Sequence, residues 1–464
     1  MSTVKLPHTL VLVFIIIALT GVLTWIIPAG EYERAEMSGR TVVIPGTYHR
    51  VESHTQNLGE ILSAPIRGFV EAANVIAIIF IAGGVFGIVN ATGAITAGIA
   101  AATRAVEKTP ALRSATIPIL TMLFSLGGAT FGMSEEVLVF ILIFIPFALA
   151  LGYDSIVGVA IPFVGAGAGF AAAFLNPFTV GIAQGLAGLP LFSGLEYRLV
   201  VWASVTAVAI IFIMRYAAAV KRHPETSPVY AIDCLRSHEA KSGGTPAELS
   251  RPQKIVLGFF ALSMFGLIIG TLKLDWYITE ISALFIGMGI LCGYWGKLGW
   301  DKTAEAFIGG AKEMITAALV VAFARGILVI ATNGKIIDTI LHTLAGGMQQ
   351  SHPVVSAYLM LFVQACINFF VPSGSAKAAL TMPIMAPLSD LLGITRQTAV
   401  LIFQLGDGFF DMIIPTSGVT MGVLGIAKIP FEKWARWVLP LQFLFIAAGL
   451  VLIAIAVAIQ WGPH

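Results

Sequence analysis

The sequence reads FGMSEE at residues 131–136 and PSGSAKAAL at residues 372–380. Each stretch interrupts a strongly apolar region with small, polar and charged residues. Because lipid offers no partner to a free backbone group or a lone charge, such an interruption within a membrane needs a functional reason. We therefore predict that the two stretches are the tips of two re-entrant hairpins, over residues 113–152 and 353–392.

The second stretch resembles a copy of the first. A shift of 241 positions, the separation of Gly68 and Gly309, keeps glycine, serine and proline residues in an ungapped register. A membrane protein built from two such halves, each with a broken hydrophobic segment at the matching place, has the layout of a secondary transporter whose substrate binds where the breaks meet. The further matching pairs are Gly93 and Gly334, Ser134 and Ser375, Pro146 and Pro387, Gly152 and Gly393, Gly165 and Gly406, and Gly167 and Gly408.

The composition predicts a membrane protein without a separate soluble domain. Hydrophobic residues make up 57% of the 464 residues and charged residues 11%, against about 25% charged residues in soluble domains. The net charge of +2 gives no indication of nucleic-acid binding, and the three cysteines form no CxxC pair. The sequence contains no Walker loop, HExxH or GxSxG motif, so we expect neither an enzyme nor a cofactor.

The order of apolar and polar segments predicts an all-α polytopic membrane protein with two inverted-topology repeats. The apolar run at residues 9–28 is too long for a cleaved signal peptide and predicts a retained first span. Arg104, Lys108 and Arg113 predict a cytoplasmic loop. The second half has one more span before the shared register begins, and this extra crossing inverts it. The N-terminus is then cytoplasmic and the C-terminus lies outside.

The chain divides into three predicted parts. They are a first half over 1–218 with a broken helix at 155–189, a cytoplasmic linker at 219–253, and a second half over 254–464 with a broken helix at 396–427.

Two adjacent acids occupy the first hairpin tip. Glu135 and Glu136 either cap free backbone donors at the start of the second half-helix or bind a cation or proton in a cavity. At the two tips, the hydroxyl groups of Ser134, Ser373 and Ser375 offer neutral oxygens to an ion or a substrate.

A lysine takes the place of one of these acids in the second tip. Lys377 matches Glu136 under the shift of 241 positions. The two charges either form a salt bridge across the pseudo-twofold axis or are the two poles of a site for a zwitterion, and snorkelling of the lysine is a third alternative.

Polar residues also mark the two broken helices. Asp407 and Asp411 are four positions apart and so share one helix face, which predicts binding of a cation, a proton or a cationic substrate. Hydroxyl, amide and carbonyl oxygens at the breaks are the hard ligands that sodium needs, although they could equally satisfy the broken backbone. The residues concerned are Asn176, Thr179, Thr416 and Ser417, and a coupling Na+ is placed near Asn176, Ser375, Asp407 and Thr416, with H+ as the alternative. Arg325, with Glu71, Lys312 and Glu313 nearby in the pattern, suits a scaffold charge near the interface as well as it suits a ligand, and we leave it outside the site.

The motifs FGMSEE, NPFT, GDGFFDMIIPTSG and PSGSAKAALTMPIMAPL resemble the YfcC/DcuC-type carriers, also called the C4-dicarboxylate anaerobic carrier family. The resemblance extends over nearly the whole chain. It implies membership of the ion transporter superfamily, a homodimer with a scaffold domain and a transport domain in each protomer, elevator-type movement, and the bacterial inner membrane. Members of the family are assigned as dicarboxylate carriers or as basic amino acid antiporters.

The residues favour a cationic or zwitterionic substrate, because the predicted site holds four acids against Lys377. We expect a basic amino acid of the arginine, ornithine or lysine type, with its carboxylate at Lys377 and its amino groups at the acids, moved by exchange or with Na+ or H+. The alternative is a C4-dicarboxylate or other carboxylate carrier in which the acids bind coupling cations. A channel or a non-transporting membrane sensor is the remote alternative. The acids of the predicted site are Glu135, Glu136, Asp407 and Asp411.

Overall fold

A computed structural model describes residues 9–37, 40–44, 46–241, 249–274, 276, 278–346 and 352–462. Helices account for 79% of the chain, as the predicted all-α class requires. The predicted linker includes residues 242–248, and these lie outside the described residues, as do residues 1–8 and 463–464 at the two termini.

The described residues of the first half form nine α-helices and two antiparallel pairs of short strands. The strands are β1 (Gly30–Glu31), paired antiparallel with β4 (His49–Arg50), and β2 (Arg34–Met37), paired antiparallel with β3 (Arg40–Val43). The helices are α1 (Thr9–Ile26), α2 (Leu58–Glu71), α3 (Ala73–Ala91), α4 (Ala94–Lys108), α5 (Pro110–Phe131), α6 (Val137–Ala150), α7 (Ser155–Ala171), α8 (Ile182–Leu186) and α9 (Leu195–Arg222), with a π-helical turn at Pro177–Gly181.

The linker and the second half are also helical within the described ranges. A 3-10 turn at Pro224–Thr226 and α10 (Tyr230–Lys241) belong to the linker. The remaining helices are α11 (Arg251–Lys273), α12 (Ile278–Trp295), α13 (Trp300–Glu313), α14 (Ile315–Asn333), α15 (Ile337–Gly346), α16 (Pro353–Phe370), α17 (Gly374–Leu391), α18 (Arg396–Asp411), α19 (Gly418–Ala427) and α20 (Phe431–Ala458).

Five of the described helices are long and apolar enough to cross a membrane. They are α3, α9, α12, α16 and α20, and a sixth span is possible if the bent pair α13 and α14 is taken as one. The interior of a bilayer offers no water to backbone N–H and C=O groups, and a helix satisfies these groups within its own segment. The described helices are those of a multi-pass membrane protein.

The order of helices repeats along the chain. The series α2 to α9 corresponds, element by element, to the series α13 to α20. The two buried helices α7 and α18 begin at Ser155 and Arg396, which are 241 positions apart, the shift already read from the sequence. Both helices are buried almost all round. This is expected of α7, which is apolar on every face, whereas α18 also buries polar side chains, among them Gln404 and Asp407.

The chain reverses direction at each predicted hairpin tip. The ring of Phe124, on α5, lies 5.0 Å from that of Phe140 and 5.1 Å from that of Phe144, both on α6. Across the second tip, Lys377 Nζ donates to Asn368 Oδ1 at 3.0 Å. In both cases one contacting residue precedes the tip and the other follows it, so the chain turns back at the tip. The side from which each hairpin enters the bilayer stays a prediction.

Local sequence explains where the hairpin helices stop. Gly132 follows α5 with a φ of +74°, a left-handed conformation that glycine adopts without the strain other residues incur. Helix α16 ends at Phe370, two residues before Pro372, because proline disfavours helical geometry in the residue that precedes it. Each tip is therefore an irregular segment between two helices.

The two broken helices, α7 with α8 and α18 with α19, run in opposite directions. Where α18 begins and α8 ends, Arg396 donates through Nη1 to the carbonyl oxygen of Ala187 at 2.8 Å. At the other end, Asp233 of α10 accepts from the backbone N–H of Ser155 at 2.8 Å, and Arg236 of the same helix donates to the carbonyl oxygen of Ala427. The start of α7 and the end of α19 are thus held together by the linker.

Candidate substrate site

A cavity of about 710 Å³ lies where the two hairpin tips and the two helix breaks converge. Residues of α2, α3 and α14 form its opposite wall. The helices that begin at this cavity within the described ranges include α6, α17 and α19, so their free backbone N–H groups and positive dipole ends lie close to it. A site of this kind suits a small polar solute.

The structure brings most of the predicted site residues to the cavity. Three of them lie behind it instead: Asn176, Lys377 and Asp407 are fully buried and do not line it. The residues that do line it are Ser134, Glu135, Glu136, Thr179, Ser373, Ser375, Asp411, Thr416 and Ser417.

Glu136 forms a hydrogen bond within the first tip. Its Oε2 atom accepts a hydrogen bond from the backbone N–H of Ser134 at 3.0 Å, and only 6% of the residue is exposed. This bond lies within the tip, before α6 begins, and the side chain of Glu136 does not cap that helix. Glu135 lies beside it with a larger exposed fraction and also lines the cavity.

Lys377 is paired with Asp407 and not with Glu136. Its Nζ atom lies 2.8 Å from Asp407 Oδ1, and both side chains are completely buried. The bridge across the pseudo-twofold axis that the sequence offered as an alternative is therefore replaced by a bridge between α17 and α18. Because the positive charge is balanced inside the protein and lies behind the cavity wall, Lys377 is not positioned to meet a substrate carboxylate.

A hydrogen-bonded chain connects this ion pair to the cavity. Asn368 accepts from Lys377 through Oδ1 and donates through Nδ2 to Asp411 Oδ1 at 2.9 Å. The two acids that share a face of α18 therefore have different surroundings. Asp407 neutralises a lysine, and Asp411 presents its carboxylate to the cavity.

The four residues predicted to hold sodium are divided between two places. Ser375 and Thr416 line the cavity, while Asn176 and Asp407 lie behind it and Asp407 already has a cationic partner. Within the described ranges no three His, Cys, Asp or Glu residues form a group suited to a metal ion. The site for a coupling cation stays a prediction.

Glycine residues let the tips approach the broken helices. A Cβ atom on Gly132 would come within 2.8 Å of the Asn176 side-chain amide. A Cβ atom on Gly374 would lie 2.5 Å from Thr179 Cγ2 and 2.9 Å from Asp407 Oδ2. Both tips therefore pack directly on the buried polar residues of the breaks.

Two residues of the cavity wall were not assigned to the site from the sequence. Arg325, on α14, and Glu71, at the end of α2, both line the cavity, and Arg325 Nε donates to Glu71 Oε2 at 3.0 Å. Arg325, which the sequence analysis left outside the site, thus lines the cavity and forms an ion pair with Glu71. The available signal was a lone arginine in an otherwise apolar helix, at a position that matches Gly84 in the first half.

The charged groups around the cavity are mostly acidic. Four acidic residues and a single basic residue are found among the described lining residues. Like charges brought together in this way are stabilised by a bound cation. The carboxylates are those of Glu71, Glu135, Glu136 and Asp411, and the guanidinium is that of Arg325.

A helical membrane protein with a polar cavity at the meeting point of hairpin tips and helix breaks has the layout of a secondary transporter. The family model of DcuC, the C4-dicarboxylate anaerobic carrier, matches residues 6–459. The chain belongs to this family of carriers.

Two curated relatives and two solved structures are similar to the chain over almost its whole length. The "Putative basic amino acid antiporter YfcC" of Escherichia coli K12 is 37% identical, with 97% of this chain and 96% of the relative covered. An uncharacterized protein of Haemophilus influenzae Rd is 29% identical, with 99% of this chain and 98% of the relative covered.

The Alcanivorax borkumensis YdaH transporter, a solved structure, is 18% identical with a TM-score of 0.43, covering 98% of this chain and 100% of that one. Neisseria gonorrhoeae MtrF, described with a class of antimetabolite efflux pumps, is 19% identical with a TM-score of 0.41, covering 97% and 95%.

Proposed function

We propose that the chain is a secondary transporter of basic amino acids such as arginine, ornithine and lysine, working by alternating access. The observation that carries this proposal is the excess of carboxylates over cations around the cavity. A cationic substrate gains from these acids, whereas a dicarboxylate would face repulsion from them. The name of the E. coli relative points to the same class of substrate.

The cationic groups of the substrate bind at the tip and the break. Glu135 at the first tip and Asp411 at the end of α18 face the same cavity and offer carboxylates to an ammonium or guanidinium group. The hydroxyl groups of Ser134, Ser375 and Thr416 line the same space and complete the polar contacts. Movement proceeds by exchange or with a coupled Na+ or H+.

Alternating access follows from inverted repeats. Two broken segments that run in opposite directions are what two halves of opposite membrane orientation produce, which supports the inverted relationship. The cavity lies between a wall made by α2, α3 and α14 and a body that carries both hairpins and both breaks. We assign the wall to the scaffold and the body to the transport domain of an elevator, in a homodimer of the bacterial inner membrane with a cytoplasmic N-terminus and an external C-terminus.

A second candidate is transport of a C4-dicarboxylate with the acids binding coupling cations. The family description and the helix N-termini of α6, α17 and α19 at the cavity favour it, since such N-termini attract anions. In this case Asp411→Asn weakens the dependence on the coupling cation and leaves the choice of substrate unchanged. In the first case the same variant weakens the binding of arginine.

Counterflow in proteoliposomes tests the proposal. Vesicles containing the purified protein are loaded with unlabelled arginine and diluted into labelled arginine, with ornithine, lysine, a neutral amino acid or succinate as competitor. We expect accumulation of label that ornithine or lysine blocks and succinate does not. The absence of arginine counterflow, together with exchange of succinate, would overturn the proposal in favour of the second candidate.

A further inference from the structure

Arg325 stands opposite the acids in the cavity. It is the one basic residue among the described residues that line this space, and 38% of its side chain is exposed. Lys377, the cation that the sequence offered as a partner for a substrate carboxylate, is buried and paired with Asp407. A carboxylate entering the cavity therefore meets the guanidinium of Arg325.

The geometry of the Arg325 guanidinium suits a carboxylate ligand. Its Nε atom donates to Glu71 at 3.0 Å, and this is its single hydrogen bond within the described part of the chain. The two Nη groups are left for a ligand, and a guanidinium edge with two parallel N–H groups binds a carboxylate at both oxygens. The bond to Glu71 is made through Nε and so does not use the edge formed by the two Nη groups.

We propose that Arg325 is the residue by which the carrier selects amino acids over the corresponding amines that lack a carboxylate. The inference rests on the proposed function and names the feature that the substrate must carry besides its positive charge. Arginine places a carboxylate at Arg325 and its cationic groups at Glu135 and Asp411. Agmatine, which is arginine without the carboxylate, leaves Arg325 without a ligand and adds its charge near that of the guanidinium.

A purely structural role for the ion pair makes a different prediction. Helices α2 and α14 already pack closely, since a Cβ atom on Gly326 would lie 3.0 Å from the carbonyl oxygen of Ala64. If Arg325 and Glu71 only join these helices, a substitution in the pair lowers transport of every substrate by the same factor. If Arg325 selects the substrate, a substitution of Arg325 changes the ratio of competition by arginine to competition by agmatine.

The experiment measures the competition of unlabelled arginine and agmatine against labelled arginine in counterflow. The wild-type protein is compared with Arg325→Gln, Arg325→Lys and Glu71→Gln, and with Arg436→Gln as the matched control. Arg436 is exposed, is paired with Glu432 four residues earlier, and does not line the cavity. The pairs ornithine with putrescine and lysine with cadaverine repeat the test on shorter cations.

In the wild type we expect agmatine to compete at least about tenfold more weakly than arginine, the effect of losing one hydrogen-bonded charge pair. In Arg325→Gln, arginine should weaken by about ten- to a hundredfold while agmatine competes at least as well as in the wild type, because the repelling guanidinium is gone, so that the ratio approaches one. Arg325→Lys should restore part of the ratio, and Arg436→Gln should match the wild type.

Three results would count against the inference. Equal competition by agmatine and arginine in the wild type overturns it without any variant, as does an unchanged ratio in an Arg325→Gln protein that still transports. Absence of arginine counterflow in the wild type overturns the proposed function and this inference together. The first two results leave the proposed transport of basic amino acids intact.

Discussion

The Nζ atom of Lys377 lies 2.8 Å from Oδ1 of Asp407, and neither side chain has any exposed surface. The pair joins the second hairpin to the second broken helix behind the cavity. Removing a charge from water is costly, and a buried partner compensates for that cost only while both members are present. The pair therefore holds α17 against α18, and we do not expect it to contact the substrate.

Removal of one member of this pair should destabilise the protein. We expect Lys377→Gln or Asp407→Asn alone to lower the free energy of unfolding by about 3–5 kcal/mol, because each leaves one buried charge unpaired. The double variant, which has neither charge, should recover most of the loss. Thermal unfolding in detergent, followed by intrinsic fluorescence, measures all three. As a control, Arg436→Gln removes a member of an exposed pair and should cost at most about 1 kcal/mol. A double variant less stable than either single variant would contradict this account.

Glu135→Gln should weaken the binding of arginine without lowering the stability of the protein. The carboxylate of Glu135 lines the cavity, and the proposed substrate contact to it is charge-assisted, so we expect the KM for arginine to rise by at least about tenfold. The melting temperature should change little, since the side chain is not completely buried. Counterflow at several arginine concentrations gives the KM, and Glu225→Gln, an exposed acid of the linker, is the control. An unchanged KM would remove Glu135 from the site.

The sequence pattern predicted most of the polar residues that line the cavity, but it did not predict which charged residues pair. Polar and proline residues inside apolar runs marked the tips and breaks, because a membrane tolerates them only where they face protein or water. The shift of 241 positions set Lys377 against Glu136, but positions related by a repeat are equivalent and need not touch. The actual partner, Asp407, depends on how α17 packs on α18. Arg325 was recognised as a charge in an apolar helix, and only the packing of α14 shows that it reaches the cavity.

Gly132→Ala should impair transport through the backbone of the first tip. The φ of +74° costs a residue with a Cβ atom about 1–2 kcal/mol, and the added atom would contact the Asn176 side chain at 2.8 Å. We expect the tip to move away from the break, with a several-fold lower rate of counterflow for arginine and ornithine alike. Gly185→Ala is the matched control, because a Cβ atom there meets nothing within 4 Å on a helix of the same broken segment. Equal rates in both variants would show that the close approach of the tip is not needed.

Asp154 should contribute to stability at the end of the molecule that the linker covers. It caps α7 by accepting from the backbone N–H of Val157 at 2.9 Å, and its other oxygen accepts from the hydroxyl groups of Tyr216 and Ser227. Asp154→Ala removes a helix cap and leaves two buried or half-buried hydroxyl groups without their acceptor, so we expect a loss of about 2–4 kcal/mol in the free energy of unfolding.

Transport selectivity provides the second readout for this variant. Asp154 is not among the residues lining the cavity, so the ratio of arginine to ornithine competition in counterflow should equal that of the wild type even where the amount of folded protein falls. Asp154→Asn retains an acceptor for Val157 and should lose less stability than Asp154→Ala. A changed ratio in either variant would mean that the attachment of the linker to α7 reaches the substrate site, through the same helix whose far end leads to Asn176 and the first tip.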